Sequence, residues 1–351
     1  MTEKRRKKPI KKREKTGLEI FGHICAFMGV TLGLILIFVV TVVAIVFWGP
    51  SENASKLLTL SANETSAMKW LPGVFLPAET VEYYLNPPAK QDDFAELPID
   101  TSSLTESVEK SDSLTTLKEV YELIDIKGPT YKGKMLKVHD PSLVHIVAIK
   151  GFGGYGMTLG QFSERYDALA VTNAGGFEDP EGKGTGGIPE GIVIRDGQIV
   201  YGSAGGYYPD VIGFDANHIL HVGDMTGKQA LDQGIVEGAN FQSGPVLVKD
   251  GVKNSSMGSG INPRTCIGQC ADGTVLIMAL EGRFPDSLGA TFDDLAEIML
   301  EYGAINAGNF DGGSSSGLYY EGERITRSCS LVGDRPLPTA VVVLREGGSS
   351  E

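Results

Sequence analysis

The most constraining feature of this chain lies near its start. From Ile20 to Trp48 no formally charged side chain occurs, His23 aside. Ile24–Trp48 alone spans 25 residues, which as a helix would extend about 37 Å, enough to cross a hydrocarbon layer of roughly 30 Å. A cleaved signal peptide has a shorter apolar core of about 7–15 residues. The run is therefore expected to be a retained transmembrane helix over residues 20–48, with the lipid bilayer as its partner. Residues 1–16 hold nine Lys/Arg against two Glu, so +7, and the rest of the chain carries −20 of the net −13. By the positive-inside bias, residues 1–19 form a basic cytoplasmic tail and Trp48 marks the outer interface. This predicts a single-pass protein of the cell membrane, with everything after the span extracytoplasmic. An acidic body gives no reason to expect nucleic-acid binding.

Residues 49–129 read as membrane-proximal helices and a linker. Ser51–Met68 continues as a short helix, which Trp70-Leu71-Pro72 breaks, and Thr80–Leu85 forms another behind a cap. Asn86–Ser113 is poor in apolar residues and reads as a linker, and Leu114–Ile126 as a helix resting on the following domain.

From residue 130 the pattern changes to short apolar runs between Gly turns, and the 46 glycines, about 13 % of the chain, exceed the usual ~7 %. That excess argues for a loop-built site and against a helix bundle. Leu143–Ile149 is expected to be a central strand. Leu169–Asn173, Ile192–Arg195, Gln198–Tyr201, Val211–Asp215, Ile219–Val222, Pro245–Val248, Thr265–Gln269, Val275–Leu280 and Thr339–Leu344 read as further strands. Several flank an Asp-Gly hairpin signal, as at Asp196-Gly197, Asp250-Gly251 and Asp272-Gly273. Thr226–Gln233 is a short helix. In Thr291–Tyr302, Thr291 with Asp294 resembles a capping box, and Leu295, Ile298, Met299 and Tyr302 share one face. The expected fold is mixed α/β (α+β): a twisted β-sheet core with many antiparallel hairpins and a few packed helices, preceded by one transmembrane helix.

Strand Ala304–Asn309 delivers Asn309-Phe310-Asp311-Gly312-Gly313-Ser314-Ser315-Ser316. One carboxylate is followed by two glycines that permit close backbone approach and by three hydroxyls. Successive N–H groups in such a turn can form an anion cradle, so Asn309, Gly312, Gly313, Ser314, Ser315 and Ser316 are candidate phosphate contacts. Read alone, the stretch is equally an ordinary Gly/Ser loop.

Its companions favour function. Asn173-Ala174-Gly175-Gly176-Phe177, Asn262-Pro263-Arg264-Thr265, Glu281-Gly282-Arg283, Ser287-Leu288-Gly289-Ala290 and Arg335-Pro336-Leu337-Pro338-Thr339 surround it in the chain. In that order and spacing, over residues 130–346, the chain resembles the phosphodiester glycosidase family. Two departures stand out. Ser314 takes the place where the family more often has a third glycine, and Glu281-Gly282-Arg283 stands where it often has Asp-Gly-Arg. The resemblance implies hydrolysis of the glycosidic bond in a phosphodiester-linked sugar, an N-acetylhexosamine on envelope or exopolysaccharide glycans being the expected substrate.

Such a substrate needs phosphate donors and carboxylates at the anomeric centre. Asp311 and Glu281 both precede Gly at strand ends and are the expected catalytic pair. Arg264, Arg283 and Arg335 offer planar forks for phosphate, and Asn173 an amide for a hydroxyl or phosphate oxygen. Each has a structural alternative as turn cap or ion pair. The histidines fall outside these motifs, and Gly-x-Ser-x-Gly and HExxH are missing, so no catalytic His, metal or cofactor is expected. Cys266 and Cys270 sit about 13 Å apart along a strand, too far for a mutual disulfide. One of them could pair with Cys329, or all could be free thiols. A non-catalytic glycan- or phosphate-binding module and a P–O-cleaving phosphodiesterase are the alternative functions.

Overall fold

A computed structural model describes residues 17–65, 68–86, 120–254, 257–330 and 332–348. It divides into two units, Met1–Ser55 and Lys56–Glu351. In the first, helix α1 (Gly17–Trp48) contains an apolar stretch, Phe21–Trp48, long enough to cross a membrane. Helix α2 (Glu52–Asn63) straddles the boundary. Pro72 opens the short helix α3 (Pro72–Phe75), where its missing N–H costs nothing, and α4 (Ala78–Leu85) begins two residues earlier than the sequence predicts. The expected linker lies almost wholly outside the described residues.

The second unit is built on antiparallel strands. In chain order they are β1 (Tyr121–Lys127), β2 (Lys132–Val138), β3 (Val144–Ala148), β4 (Ala170–Asn173), β5 (Val193–Arg195), β6 (Gln198–Tyr201), β7 (Tyr207–Asp215), β8 (Leu220–Thr226) and β9 (Ile235–Asn240). They continue as β10 (Val246–Lys249), β11 (Val252–Lys253), β12 (Arg264–Cys270), β13 (Val275–Leu280), β14 (Ala304–Asn309), β15 (Leu318–Tyr320), β16 (Glu323–Arg324) and β17 (Thr339–Val343). A seven-stranded sheet has the order β1-β2-β13-β12-β14-β10-β11, and two five-stranded sheets run β16-β15-β4-β17-β3 and β6-β5-β9-β7-β8. The mixed α/β reading and its hairpins hold. Two local readings do not. Leu114–Ile126 was expected to be helical, yet Tyr121–Lys127 pairs residue for residue with β2. Its run Tyr-Glu-Leu-Ile-Asp-Ile-Lys alternates loosely, and strand pairing outweighed local helix preference. The run around Val144–Ala148, expected to be central, is an edge strand of its sheet. It is apolar throughout because both its faces are covered: Val144 and Ile146 face the central core, Val147 a second one under a helix.

The central core is shared by all three sheets, with Ile277 and Ile267 from the first, Val341 from the second, and Ile212 and Phe214 from the third. Helices cover the outer faces. α5 (Leu159–Arg165) lays Leu159 and Phe162 on Val171 and Val342. α6 (Gly227–Asp232) contributes Ala230 to the third sheet's outer cluster. α7 (Phe292–Glu301) packs Leu295, Ile298 and Met299 against β10 and β14. The Thr291/Asp294 capping box is formed in both directions, satisfying donors that would otherwise be orphaned at the helix start. The cysteines are free thiols; Cys266 and Cys270 are buried and Cys329 is half-buried.

The second unit extends beyond the expected 130 boundary. β1 precedes it, and Ser61, Glu64 and Thr65 hydrogen-bond to the segment Gly260–Arg283.

Candidate functional site

Register brings the motifs to one end of the central strands of the seven-stranded sheet. β12 pairs antiparallel with both β13 and β14, so Arg264 lies opposite Leu280 and Cys266 opposite Asn309. The start of β12, the end of β13 and the end of β14 therefore meet, delivering Arg264, the Glu281–Arg283 turn and the Asp311 loop together. They border a cleft of about 740 Å³ whose lining includes Asp311, Gly312–Ser315, Arg264, Arg283, Glu64, Asp179 and Glu190.

Asn173, at the end of β4, is fully buried and acts as a tie. Its amide Nδ2 donates to the Asp311 carbonyl (2.6 Å), and its Oδ1 accepts from Thr265 Oγ1 (2.7 Å) and from the Gly317 N–H (3.3 Å). The Asp311 N–H donates to the Ala174 carbonyl (3.0 Å), and the Phe310 N–H to the Thr265 carbonyl (2.9 Å). The Asp311 loop is thus clamped between two sheets. Asn309, also fully buried, donates its amide to the Phe310 carbonyl (2.7 Å) and its N–H to Asp210 Oδ2 (3.1 Å).

The Asp311 carboxyl accepts from the Gly312 N–H (2.8 Å) and from the Ser315 hydroxyl. Burial nevertheless pushes it up to about 7, helped by the negative charge of Glu190 and opposed by those two donors and by Arg335. Glu190 is itself raised, first by burial and then by Glu178, while Lys69 lowers it.

The Gly312–Ser316 N–H groups are mostly committed. Gly313 donates to Pro263, Ser315 to Gly312 and Ser316 to Gly313, and Gly312 already serves Asp311. Ser314 Oγ accepts from Arg335 Nη1 at 3.3 Å. Gly313 takes φ +62, and a Cβ there would lie 3.3 Å from Arg283 Nη2, so the glycine lets that guanidinium rest on the loop.

The arginines separate into three environments. Arg264 is buried, with Nη2 2.6 Å from Glu64 Oε2 and 2.8 Å from the Gly260 carbonyl, Nε donating to Ala290 (3.2 Å), and its face on the Phe292 ring. Arg335 pairs with Asp179 (2.8 Å) and lies over the Phe177 ring. Arg283 hydrogen-bonds Thr65 Oγ1 and Asn262 Oδ1, both at 3.1 Å, and among the described residues it has no carboxylate partner. Its φ of +65 is rare for a side chain of this size.

Glu281 does not line the cleft with Asp311. Its Oε1 accepts the Arg327 N–H (2.8 Å) and its Oε2 lies 2.6 Å from Arg327 Nε, while Arg327 also reaches Asp286 (2.9 Å). The backbone end of β13 reaches the site, but the side chain turns into this ion-pair network. Glu190, Glu64 and Asp179 are cleft carboxylates that the motif reading missed. Glu190 sits in Pro189-Glu190-Gly191, whose only local signal is a turn before a strand. Glu64 follows a helix 200 residues from Arg264 and carries no local signal at all.

The architecture and the cleft define a mixed α/β protein with a half-buried carboxyl flanked by arginines at the ends of central sheet strands. The chain belongs to the phosphodiester glycosidase family, whose profile matches residues 166–344. It is 32 % identical over 182 residues to the SPbeta prophage-derived uncharacterized protein YomE of Bacillus subtilis (strain 168), a match covering 48 % of this chain and 27 % of that protein. The chain thus spans about a quarter of that curated relative's length. The fold is similar to the catalytic domain of zebrafish N-acetylglucosamine-1-phosphodiester α-N-acetylglucosaminidase, solved in a form auto-inhibited by its pro-peptide. The TM-score is 0.53 at 21 % identity, covering 66 % of this chain and 85 % of that one.

Proposed function

We propose that this protein is a membrane-anchored, extracytoplasmic hydrolase that cleaves the glycosidic bond of sugar-1-phosphodiesters, acting on N-acetylhexosamine-1-phospho groups of envelope glycans. One observation carries the reading: in a member of this family, the Asp311 carboxyl at the cleft is held up to about 7 by burial and faces arginines. A carboxyl so poised keeps its proton near neutrality and can give it to a leaving oxygen. Arg283 and Arg335 border the same loop and suit a phosphate group. Arg264 is already engaged by Glu64 and is assigned to holding the cleft wall.

In this scheme the C1–O bond breaks. Its electron pair goes to the bridging phosphate oxygen, which takes the Asp311 proton, while water oxygen bonds to C1 and gives up one proton, which returns the Asp311 carboxyl to its starting state. The transition state at C1 is oxocarbenium-like. The arginines stabilise negative charge gathering on the departing phosphomonoester.

Hydrolysis in ¹⁸O-water tests this. Label is expected on the sugar and none on the phosphate, read by mass spectrometry of fresh products. Label on phosphorus would establish P–O cleavage instead. Tight binding across a substrate panel without product would establish a binding module.

A further inference from the structure

The segment Asn173-Ala174-Gly175-Gly176-Phe177 does more than end a strand. It is a backbone bracket holding one carboxylate on each side. Towards one side, the Ala174 carbonyl accepts the Asp311 N–H (3.0 Å) and the Asn173 amide grips the Asp311 carbonyl (2.6 Å). Towards the other, the Gly176 carbonyl accepts the Glu190 N–H (2.9 Å), and Phe177 bridges to Pro189. The bracket is itself pinned, since the Gly176 N–H donates to the Asn240 carbonyl (3.0 Å) and Asn240 Oδ1 accepts from Ile192 (2.7 Å). The Glu190 carboxylate folds back over Gly176: a Cβ there would stand 2.7 Å from Glu190 Oε2 and 2.8 Å from Phe241 Cδ2. A Cβ at Gly176 would therefore displace the carboxylate from this position. Both carboxyl groups line the one cleft.

We propose that Glu190 is the second catalytic carboxylate, the base that takes a proton from the attacking water while Asp311 protonates the leaving phosphate oxygen. This rests on the reaction proposed above. The balance is complete within the site. Water oxygen bonds to C1 and gives one proton to the Glu190 carboxylate. The C1–O electron pair leaves with the phosphomonoester, which receives the Asp311 proton. Passing one proton between the two carboxyls through solvent restores the starting state. Burial raises both groups; Glu178 also raises Glu190 and Lys69 lowers it, while Glu190 also raises Asp311 and the Ser315 hydroxyl, the Gly312 N–H and Arg335 lower it. Asp311, pushed up to about 7 first by burial, is the one of the two that holds a proton near neutrality. Glu281, tied to Arg327, leaves the second place open.

The test compares Glu190→Gln, Glu190→Ala and Asp311→Asn on a sugar-1-phosphodiester. Glu190→Gln is expected to lose roughly 10²–10⁴ in kcat with little change in KM. It should also lose the acid limb of the pH profile and move the alkaline limb, which Asp311 sets, to lower pH. Azide added to Glu190→Ala should restore turnover and yield the glycosyl azide, an outcome that a folding defect does not produce. Wild-type kcat in Glu190→Gln, with activity lost in Asp311→Asn, overturns the role of Glu190 and leaves the proposed reaction standing. No turnover by the wild-type protein on any such substrate removes both. Independently of turnover, ¹³C NMR of the Asp311 carboxyl should show its titration moving to lower pH in Glu190→Gln, because a raising charge is gone. An unmoved titration overturns the pairing.

Discussion

Glu64 Oε2 lies 2.6 Å from Arg264 Nη2, joining a residue just past α2 to the first residue of β12 across 200 positions of sequence. The pair is asymmetric in burial, Arg264 at 4 % side-chain exposure and Glu64 at 26 %. Burial lowers the Arg264 pKa, and Glu64 is the first group opposing that shift. Removing the carboxylate would leave a buried cation with only carbonyls and the Phe292 face. Glu64→Ala is therefore expected to destabilise the protein by about 3 kcal/mol, the low end for breaking a buried pair, because those contacts remain. Urea unfolding measures it. Turnover should not rise; an increase in kcat/KM would mark Glu64 as an occluding group in place of a structural one.

Asp311 makes stability depend on pH in a definite direction. Its folded value of about 7 exceeds the ordinary 3.8, so between those values the folded state holds a proton that the unfolded state has released. Stability from this group is therefore lost as pH rises through that window, and is fully present only below it. Asp311→Asn should remove that component, so the variant gains on the wild type from about pH 4 to about pH 7 in thermal unfolding and no further above it. A constant difference would show that Asp311 is not shifted. Its kcat should fall by roughly 10²–10⁴.

Arg283 and Glu281 should separate cleanly. Arg283 borders the cleft without an ion pair among the described residues, so Arg283→Ala should raise KM about 10- to 100-fold, the worth of one charge-assisted hydrogen bond. Glu281→Gln disturbs only its contacts with Arg327, whose side chain is 43 % exposed, and kcat should stay within about twofold. A large kcat loss in Glu281→Gln would return that residue to the chemistry.

The apolar stretch Phe21–Trp48 and the basic residues before it motivate an anchor with its N-terminus inside. Protease added to intact cells should digest the domain after residue 130, and alkaline carbonate should leave the full chain in the membrane pellet. Protection of the domain would reverse the orientation.

Much of this molecule is written locally. The apolar helix Phe21–Trp48 needs only length and apolarity, and the capping box at Thr291 needs only residues three apart. The hairpin at Asp196-Gly197 and the strand ending at Asn309 also follow from short-range pattern. So does the placing of Asp311 beside a glycine turn. Tertiary structure alone decided the partners. Whether the Glu281 carboxylate faces the cleft or Arg327 depends on a chain segment 46 residues away, and Tyr121–Lys127 becomes a strand because β2 offers it a free edge. The same holds for Glu190. Pro189-Glu190-Gly191 is an ordinary turn until the Gly176 carbonyl receives its N–H and the missing Cβ of Gly176 leaves space for its carboxylate. Charge pairing and desolvation act through space, so a one-dimensional pattern records which groups can ionise but not which of them end up sharing a cleft.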